Sequence, residues 1–266
     1  AYVPAHITPV QHGADVYLSL DMNIQYMAER ELERVLAAER TVTGTVVILD
    51  PKTGEILAAA GRPTFDPNAF GDVPLAVHHN PVISSPWEPG SIFKILTIGA
   101  ALEAQAITPQ SVFQDRGTMK YANRSISNRD NKAYGPITPA QILQHSSNVG
   151  VVQIVDRLGA DRFYEFVRKF GIGRPTGTEL PAETAGMLRI PGDPLWHVVD
   201  LATQSYGQGV AATPLQMTAA VAAVAGHGVL MRPCIVSRIE GGTRTDVPCP
   251  QPVRKVLSPE TARVLT

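Results

Sequence analysis

Long apolar runs, excess positive charge and cysteine-rich patterns are all missing from this sequence. The longest apolar region, residues 217–224, is far shorter than the roughly 20 residues that a helix needs to cross a bilayer. The formal net charge is -1, so the chain has no basic excess to attract a nucleic-acid backbone. Its two cysteines, Cys234 and Cys249, do not have the spacing of a zinc site. We therefore expect no membrane span, no nucleic-acid partner, no metal and no other cofactor.

The composition is that of a folded globular protein. Of the 266 residues, 44% are hydrophobic and 18% are charged, which is enough for one large core or two modest ones. The sequence opens at Ala1 with an irregular stretch and without a basic and apolar leader. We therefore expect it to be a piece of a longer protein.

Strand patterns occur near both ends of the chain. Residues 13–20 alternate apolar and polar side chains, and apolar residues then recur at helical spacing as far as Leu36. Residues 45–60 predict a hairpin, because two apolar runs flank turn-forming residues at 50–54. Residues 61–90 predict an ordered loop with short elements, and residues 234–239 predict another strand.

Helix patterns fill the middle of the chain. Residues 91–104 are apolar on every side of a helical wheel, which indicates a helix buried in the core. Thr138 and Thr213 each begin a helix, because each is followed by proline at the first helical position and by glutamine at the capping-box position. Residues 148–158 and 161–170 also predict helices. Strands at both ends with helices between them predict an α+β fold, with a sheet assembled from distant segments and helices on its faces.

One helical turn combines a hydroxyl with an unusual lysine. Lys94 lies within the apolar helix, where desolvation would lower its pKa and make a neutral amine accessible. Ser91 lies three residues earlier and therefore on the same face. Because it follows Pro89 and Gly90, its hydroxyl is expected at the helix N-terminus, where backbone N–H groups can stabilise an oxyanion. This turn predicts a nucleophile, a base and an anion site.

An S-x-x-K pattern is weak evidence when it stands alone. It is expected about once by chance in a chain of this length. A lysine on a partly buried helix can also extend its ammonium group to water. On these residues alone, a catalytic base and a solvated side chain are both open interpretations of Lys94.

The flanks of two motifs resemble a known family. EPGSIFK at residues 88–94 resembles the nucleophile segment of penicillin-binding proteins, which carry S-x-x-K, S-x-N and K-T-G motifs. Downstream, Ser146, Ser147 and Asn148 form an S-x-N motif in the setting HSSNVG. ILDPKTGEILAAA, PTFDPN and SYGQGVAATPLQM extend the likeness over nearly the whole chain. In detail it is closer to class B enzymes, the monofunctional transpeptidases of elongation or division, than to class A enzymes, which carry a glycosyltransferase domain. GQG followed by TPLQ favours the division type.

The third motif of the family needs care. Residues 52–54 spell K-T-G, but they precede the nucleophile, and we interpret them as the hairpin turn. The resemblance implies that the catalytic K-T-G strand would follow Thr266. It therefore implies a penicillin-binding transpeptidase (serine β-lactamase-like) fold with an antiparallel sheet flanked by helices, incomplete at its C-terminus. Residues 1–20 would end an N-terminal pedestal or linker, and residues 21–266 would form the transpeptidase domain without its C-terminal part.

The resemblance also implies a role for four side chains. Ser91 would be the nucleophile, Lys94 its base and Ser146 a proton relay. Asn148 would orient Lys94 and hydrogen-bond the substrate amide.

Partners and location are implied in the same way. The substrates would be peptidoglycan stem peptides on lipid II-derived glycan strands, with β-lactam antibiotics as inhibitors. Further partners would be a membrane-embedded glycan polymerase, division or elongation proteins, and the C-terminal segment of the same protein. The domain would lie on the extracytoplasmic (periplasmic) face of the cell membrane, held by an N-terminal anchor outside this chain.

Two other functions stay open at this point. A β-lactamase or β-lactam sensor shares the acyl-serine chemistry, but hydrolysis needs a base for deacylation, and no glutamate lies in a convincing motif for that role. A non-catalytic scaffold of a wall-synthesis complex could retain the fold without the activity, although the intact motif residues oppose this interpretation.

The two cysteines allow two interpretations. They flank a predicted hairpin that would turn near residues 241–242, and counting inward brings the two positions opposite each other. A disulfide would persist in an exported domain, provided that the Cα atoms lie within about 7 Å. The alternative is a pair of small buried thiols.

Overall fold

A computed structural model describes residues 13–241 and 249–266. The helices in these ranges are α1 Met22–Glu39, α2 Pro81–Ser84, α3 Lys94–Glu103, α4 Pro139–Gln144, α5 Asn148–Leu158, α6 Ala160–Lys169, α7 Val198–Ser205, α8 Pro214–Ala225 and α9 Pro259–Leu265. The strands are β1 Asp15–Leu18, β2 Gly44–Leu49, β3 Ile56–Arg62, β4 Phe113–Asp115, β5 Thr118–Tyr121, β6 Arg124–Ser127, β7 Gly135–Ile137, β8 Met187–Leu188, β9 Val210–Ala211, β10 Val229–Met231, β11 Val236–Glu240 and β12 Pro252–Lys255. Helices and strands thus mix as an α+β fold requires.

The two helix starts predicted from capping boxes are confirmed. Thr138 caps α4 and Thr213 caps α8, and each threonine hydroxyl accepts a hydrogen bond from the backbone N–H three residues later. The side chains of Gln141 and Gln216 return the bond to the backbone N–H of the cap at 2.9 and 2.8 Å. Each box satisfies two N–H groups that have no partner inside the helix.

Segments that are distant in the sequence meet at the strands. β2 and β3 form the predicted antiparallel hairpin, and β1 pairs antiparallel with β11. The two ladders are joined where the Ile56 N–H donates to the Cys234 carbonyl at 2.9 Å. The Ser19 hydroxyl also donates to the Ile56 carbonyl, at 2.8 Å. The expectation of strands brought together from both ends of the chain is therefore confirmed.

The first K-T-G sequence lies in the turn of the hairpin. The Asp50 carboxylate accepts a hydrogen bond from the Lys52 N–H at 2.7 Å, as is typical of turns that aspartate begins. Gly54 has a φ of +84°, and a Cβ atom there would collide with the Arg232 carbonyl. The local turn and its packing explain these residues without a catalytic role.

The predicted core helix is confirmed with one difference at its start. Residues Gly90–Phe93 form a 3₁₀ turn, and the α-helical part begins at Lys94. Within α3, the side chains of Leu96, Ile98 and Ala101 are almost completely buried against α5, α6 and α9. The largest hydrophobic cluster therefore surrounds the helix that carries the lysine.

A disulfide joins Cys234 to Cys249, with Cα atoms 6.2 Å apart. This confirms the paired interpretation of the two cysteines. The second strand of the hairpin expected between them falls on residues outside those described, so the hairpin stays a prediction; among the described residues, β11 pairs with β1 and β12 pairs with β10. Of the expected turn, residue 241 is described and residue 242 lies outside the described residues.

Candidate active site

The nucleophile candidate is exposed at the start of the buried helix. Ser91 lies in the 3₁₀ turn, where first-turn N–H groups have no partner inside the helix and can face an anion. The turn is fixed from one side, because the Gly90 N–H donates to the Gly207 carbonyl at 2.9 Å. A Cβ atom on Gly207 would collide with the backbone of Gly90, and the Glu88 carboxylate accepts the Gly209 N–H at 2.8 Å. The GQG segment at residues 207–209 thus positions the nucleophile turn.

Lys94 is a buried amine beside this hydroxyl. Its side chain is only 1% exposed, and burial lowers its pKa from 10.5 to about 8. The Nζ atom lies 3.1 Å from the Ser91 Oγ. Lys94 is therefore not the solvated lysine that the sequence had left open, and its role as the base stays a prediction.

Ser146 completes a closed ring of hydrogen bonds. Its Oγ lies 2.8 Å from the Ser91 Oγ and 3.0 Å from the Lys94 Nζ, and its carbonyl oxygen accepts from the same Nζ at 2.7 Å. The protonated amine can donate to all three of these oxygens, whereas the neutral amine has two N–H groups and one lone pair. In that state Ser91 donates to Lys94, Lys94 donates to Ser146, and Ser146 donates back to Ser91. The ring can accept the Ser91 proton and pass it on.

A match to a protein-family model identifies the family of this chain. The model of the penicillin-binding protein transpeptidase domain matches residues 44–266. The chain belongs to this family. The matched residues run from the start of β2 to Thr266. The three residues of the ring, Ser91, Lys94 and Ser146, are those of the S-x-x-K and S-x-N motifs.

Individual members of the penicillin-binding protein family are similar over nearly the whole chain. PbpB of Mycolicibacterium smegmatis is 37% identical over 256 residues, which are 95% of this chain and 39% of that protein. The peptidoglycan D,D-transpeptidase FtsI homolog of Chlorokybus atmophyticus is 33% identical over 239 residues, 86% of this chain and 35% of that protein. This chain thus spans about two fifths of the length of the curated relatives it matches.

A solved structure confirms the fold. Penicillin-binding protein 3 of Mycobacterium tuberculosis, complexed with aztreonam, is 34% identical with a TM-score of 0.88, covering 98% of this chain and 58% of that one. The penicillin-binding transpeptidase fold implied by the motifs is therefore confirmed, as is the resemblance to class B enzymes.

The fourth predicted residue of the penicillin-binding protein site makes its side-chain hydrogen bond outside the ring. Asn148 is the first residue of α5, and its side-chain Nδ2 donates to the Ser127 carbonyl at 2.9 Å. In the structure it is Ser146 that contacts the Lys94 amine, through two atoms. The orienting and substrate-binding roles of Asn148 stay predictions.

The sequence did not reveal the residues that lie behind the S-x-N motif. Asp115 and Asn128 are buried and bonded to the motif, but Asp115 ends the short strand β4 and Asn128 follows the short strand β6, and neither segment has a recognisable pattern. Ser147 was visible only as the middle residue of the motif. A sequence pattern can place an acid on the buried face of a strand only when the strand is long enough to show alternating buried and exposed residues. β4 has three residues, which is too short for such a pattern.

Within residues 13–241 and 249–266, the acidic, histidine and cysteine side chains form no group of three that could hold a metal ion. No helix in the same ranges combines the length and the apolar character needed to cross a membrane.

Proposed function

We propose that this chain supplies the acyl-transfer centre of a peptidoglycan D,D-transpeptidase. The observation that supports this most strongly is the closed ring of Ser91, Lys94 and Ser146, which joins a nucleophile to a buried amine whose pKa is lowered to about 8. The Chlorokybus relative carries the name of such an enzyme. A hydroxyl is a weak nucleophile until a base removes its proton, and this base lies within hydrogen-bonding distance.

Acylation follows from the ring. The Ser91 Oγ attacks the penultimate D-Ala carbonyl carbon while its proton moves to the Lys94 Nζ. The oxygen of the tetrahedral intermediate faces the N–H of Ser91 at the helix start. When the C–N bond breaks, the proton returns through Ser146 to the leaving amine, and D-Ala departs. The product is an ester between Ser91 and the stem peptide.

Deacylation repeats the proton transfers in reverse. The amine of a neighbouring stem peptide passes a proton to the ring as it attacks the ester carbonyl. The C–O bond to Ser91 then breaks, Ser91 recovers a proton, and an amide cross-link remains. A β-lactam enters the same sequence at its strained amide, but its leaving group stays tethered, so the ester persists.

Nitrocefin distinguishes this function from a β-lactamase of the same fold. We expect the full-length protein to open one equivalent of nitrocefin quickly and to turn over further nitrocefin far more slowly, because the ring supplies a base for acylation and needs an amine acceptor for release. The measurement is absorbance after rapid mixing, with the Ser91→Ala variant as the blank. Fast multiple turnover would assign the chain to the β-lactamases. The absence of any adduct would favour the scaffold.

An open strand edge lies beside the nucleophile. Among the described residues, β2 pairs with β3 alone, and its other edge borders an apolar groove of about 590 Å³. Ile92, next to the nucleophile, and Trp87 line this groove and are 44% and 41% exposed. We propose that the groove receives a strand from the C-terminal segment of the same protein, which carries the K-T-G motif. An unpaired edge with apolar surface beside it favours an added strand.

This strand has a measurable consequence for residues 1–266. We expect them to be labelled by fluorescent penicillin about 10² to 10³ times more slowly than a form extended at the C-terminus, because the strand would supply the second oxyanion donor. The extended form with Ser91→Ala serves as the control for specific labelling. Equal labelling rates of the two forms would contradict the proposed role of the groove.

Location and protein partners form the last part of the proposal. Peptidoglycan lies outside the cytoplasm, and the Cys234–Cys249 disulfide suits an oxidising compartment. We therefore place the domain at the extracytoplasmic face of the cell membrane, where an anchor elsewhere in the protein would hold it near a glycan polymerase and division or elongation proteins. The domain boundary at residue 21 stays a prediction.

A further inference from the structure

A buried polar cluster lies directly behind the S-x-N motif. It consists of Asp115, Asn128 and Ser147, which are 1%, 5% and 0% exposed. The Ser147 hydroxyl donates to the Asp115 carboxylate at 2.6 Å, and the Asn128 amide donates to both oxygens of that carboxylate at 2.8 and 2.9 Å. We name these three residues the Asp115 cluster.

The cluster fixes the first turn of α5. The Asn128 Oδ1 accepts the backbone N–H groups of Asn148 and Val149 at 2.8 and 3.0 Å, and the Ser147 Oγ accepts the Gly150 N–H at 2.7 Å. Three of the four N–H groups that a helix start leaves without internal partners are thus bound by side chains. The helix is held in position as well as capped.

Asp115 determines which way the Asn128 amide faces. One amide proton is directed to the carboxylate and the other to the Lys132 carbonyl at 2.9 Å, so Oδ1 must face α5. The Gly117 N–H donates to the same carboxylate at 2.7 Å. A buried carboxylate is tolerated when it is fully hydrogen-bonded. The acid therefore fixes the orientation of the whole cluster.

Ser146, immediately before the cluster, has an uncommon backbone conformation. Its φ is +54°, in the left-handed region that residues other than glycine seldom adopt. This conformation places both its carbonyl oxygen and its hydroxyl on the Lys94 amine. Conformations of this kind persist only where the surroundings fix them, and they are common at active sites.

Helix capping alone does not require such a cluster. α8 is capped by Thr213 and Gln216, both buried, without an acid. α5 has its own capping serine, Ser147, and in addition a buried carboxylate and an amide supplied from outside the helix. These additional groups contact Ser147, Asn148 and Val149, the residues that directly follow Ser146.

We propose that Asp115 and Asn128 are positioning residues for the acylation of Ser91, because they hold Ser146 in the left-handed conformation that closes the ring with Lys94. The inference rests on the proposed function. It assigns the Asp115 cluster to the chemical step, and not to substrate binding or to folding alone.

The test compares acylation by fluorescent penicillin in the full-length protein and its variants. In Asn128→Ala and Asp115→Asn, we expect the maximal acylation rate constant to fall about 10²-fold, because a misplaced catalytic group costs about this much. The antibiotic concentration that gives half of the maximal rate should change little. Thr213→Ala, which removes an equally buried cap from α8, should lower the melting temperature similarly and leave the acylation rate within a few-fold of the parent.

The pH dependence separates positioning from folding. In the parent, acylation should rise to a plateau with a midpoint near the Lys94 pKa of about 8. In the two variants we expect the midpoint to move upward, because a loosened Ser146 admits water to the amine and relieves its desolvation. A loss of folded protein lowers the labelled fraction but leaves the midpoint of the surviving molecules unchanged.

Either of two results would contradict the positioning role of Asp115 and Asn128. An unchanged rate, or a smaller labelled fraction with an unmoved midpoint, would overturn the inference. If Asn128→Ala does not fold, Asp115→Asn, which preserves the size of the side chain, carries the test alone. The proposed function fails separately, if the parent protein itself forms no adduct on Ser91.

Discussion

Replacement of Ser91 with alanine is expected to abolish the covalent adduct that benzylpenicillin forms with the full-length protein. Ser91 is exposed, lies at a helix start and has the Lys94 amine 3.1 Å from its hydroxyl. The Ser146 Oγ also contacts the Lys94 amine, but Ser146 does not lie at the start of the helix that carries Lys94. It therefore lacks the N–H groups that would stabilise an oxyanion at Ser91. The measurement is intact-mass spectrometry before and after the antibiotic is added.

The control for this substitution is a serine that the site does not use. Ser237 lies on β11, and its hydroxyl donates to the Tyr17 carbonyl, so Ser237→Ala should form the adduct as the parent does. An adduct that persists in Ser91→Ala would move the nucleophile to another residue. Peptide mapping would then identify it.

Local features of the sequence predicted local structure well. The capping boxes at Thr138 and Thr213, the buried helix that carries Lys94 and the turn at residues 52–54 each depend on residues close together in the chain. The same holds for Ser91 and Lys94, because a separation of three residues on a helix brings two side chains to one face.

Features that depend on distant contacts could not be predicted in this way. The pairing of β11 with β1 joins segments more than 200 residues apart, and no pattern within either segment predicts it. The left-handed conformation of Ser146 depends on Asp115 and Asn128, which lie in other parts of the chain. A sequence pattern reports periodicity along one element, and it carries no record of which element will pack behind it.

Lys94→Arg is expected to reduce acylation by at least a few hundred-fold, although it preserves the positive charge. Removal of a general base typically costs about 10² to 10⁴ in rate. The guanidinium group stays protonated in proteins and cannot accept the Ser91 proton. A planar fork is also a poor replacement for an amine that has Ser91 and two Ser146 atoms as partners. The measurement is the rate of labelling by fluorescent penicillin, with Lys169→Arg as the control, since Lys169 is partly exposed and paired with Glu165.

The pH profile shows whether the lost group is the base. Burial lowers the pKa of Lys94 to about 8, so the neutral amine is the minor form at pH 7 and the major form at pH 9. Acylation by the parent should therefore rise about tenfold per pH unit below the midpoint and become constant above it. In Lys94→Arg the residual rate should not follow this curve, because the group that titrates is gone. If the variant keeps both the rate and the profile of the parent, Lys94 acts only through its charge, and another group must take the proton from Ser91.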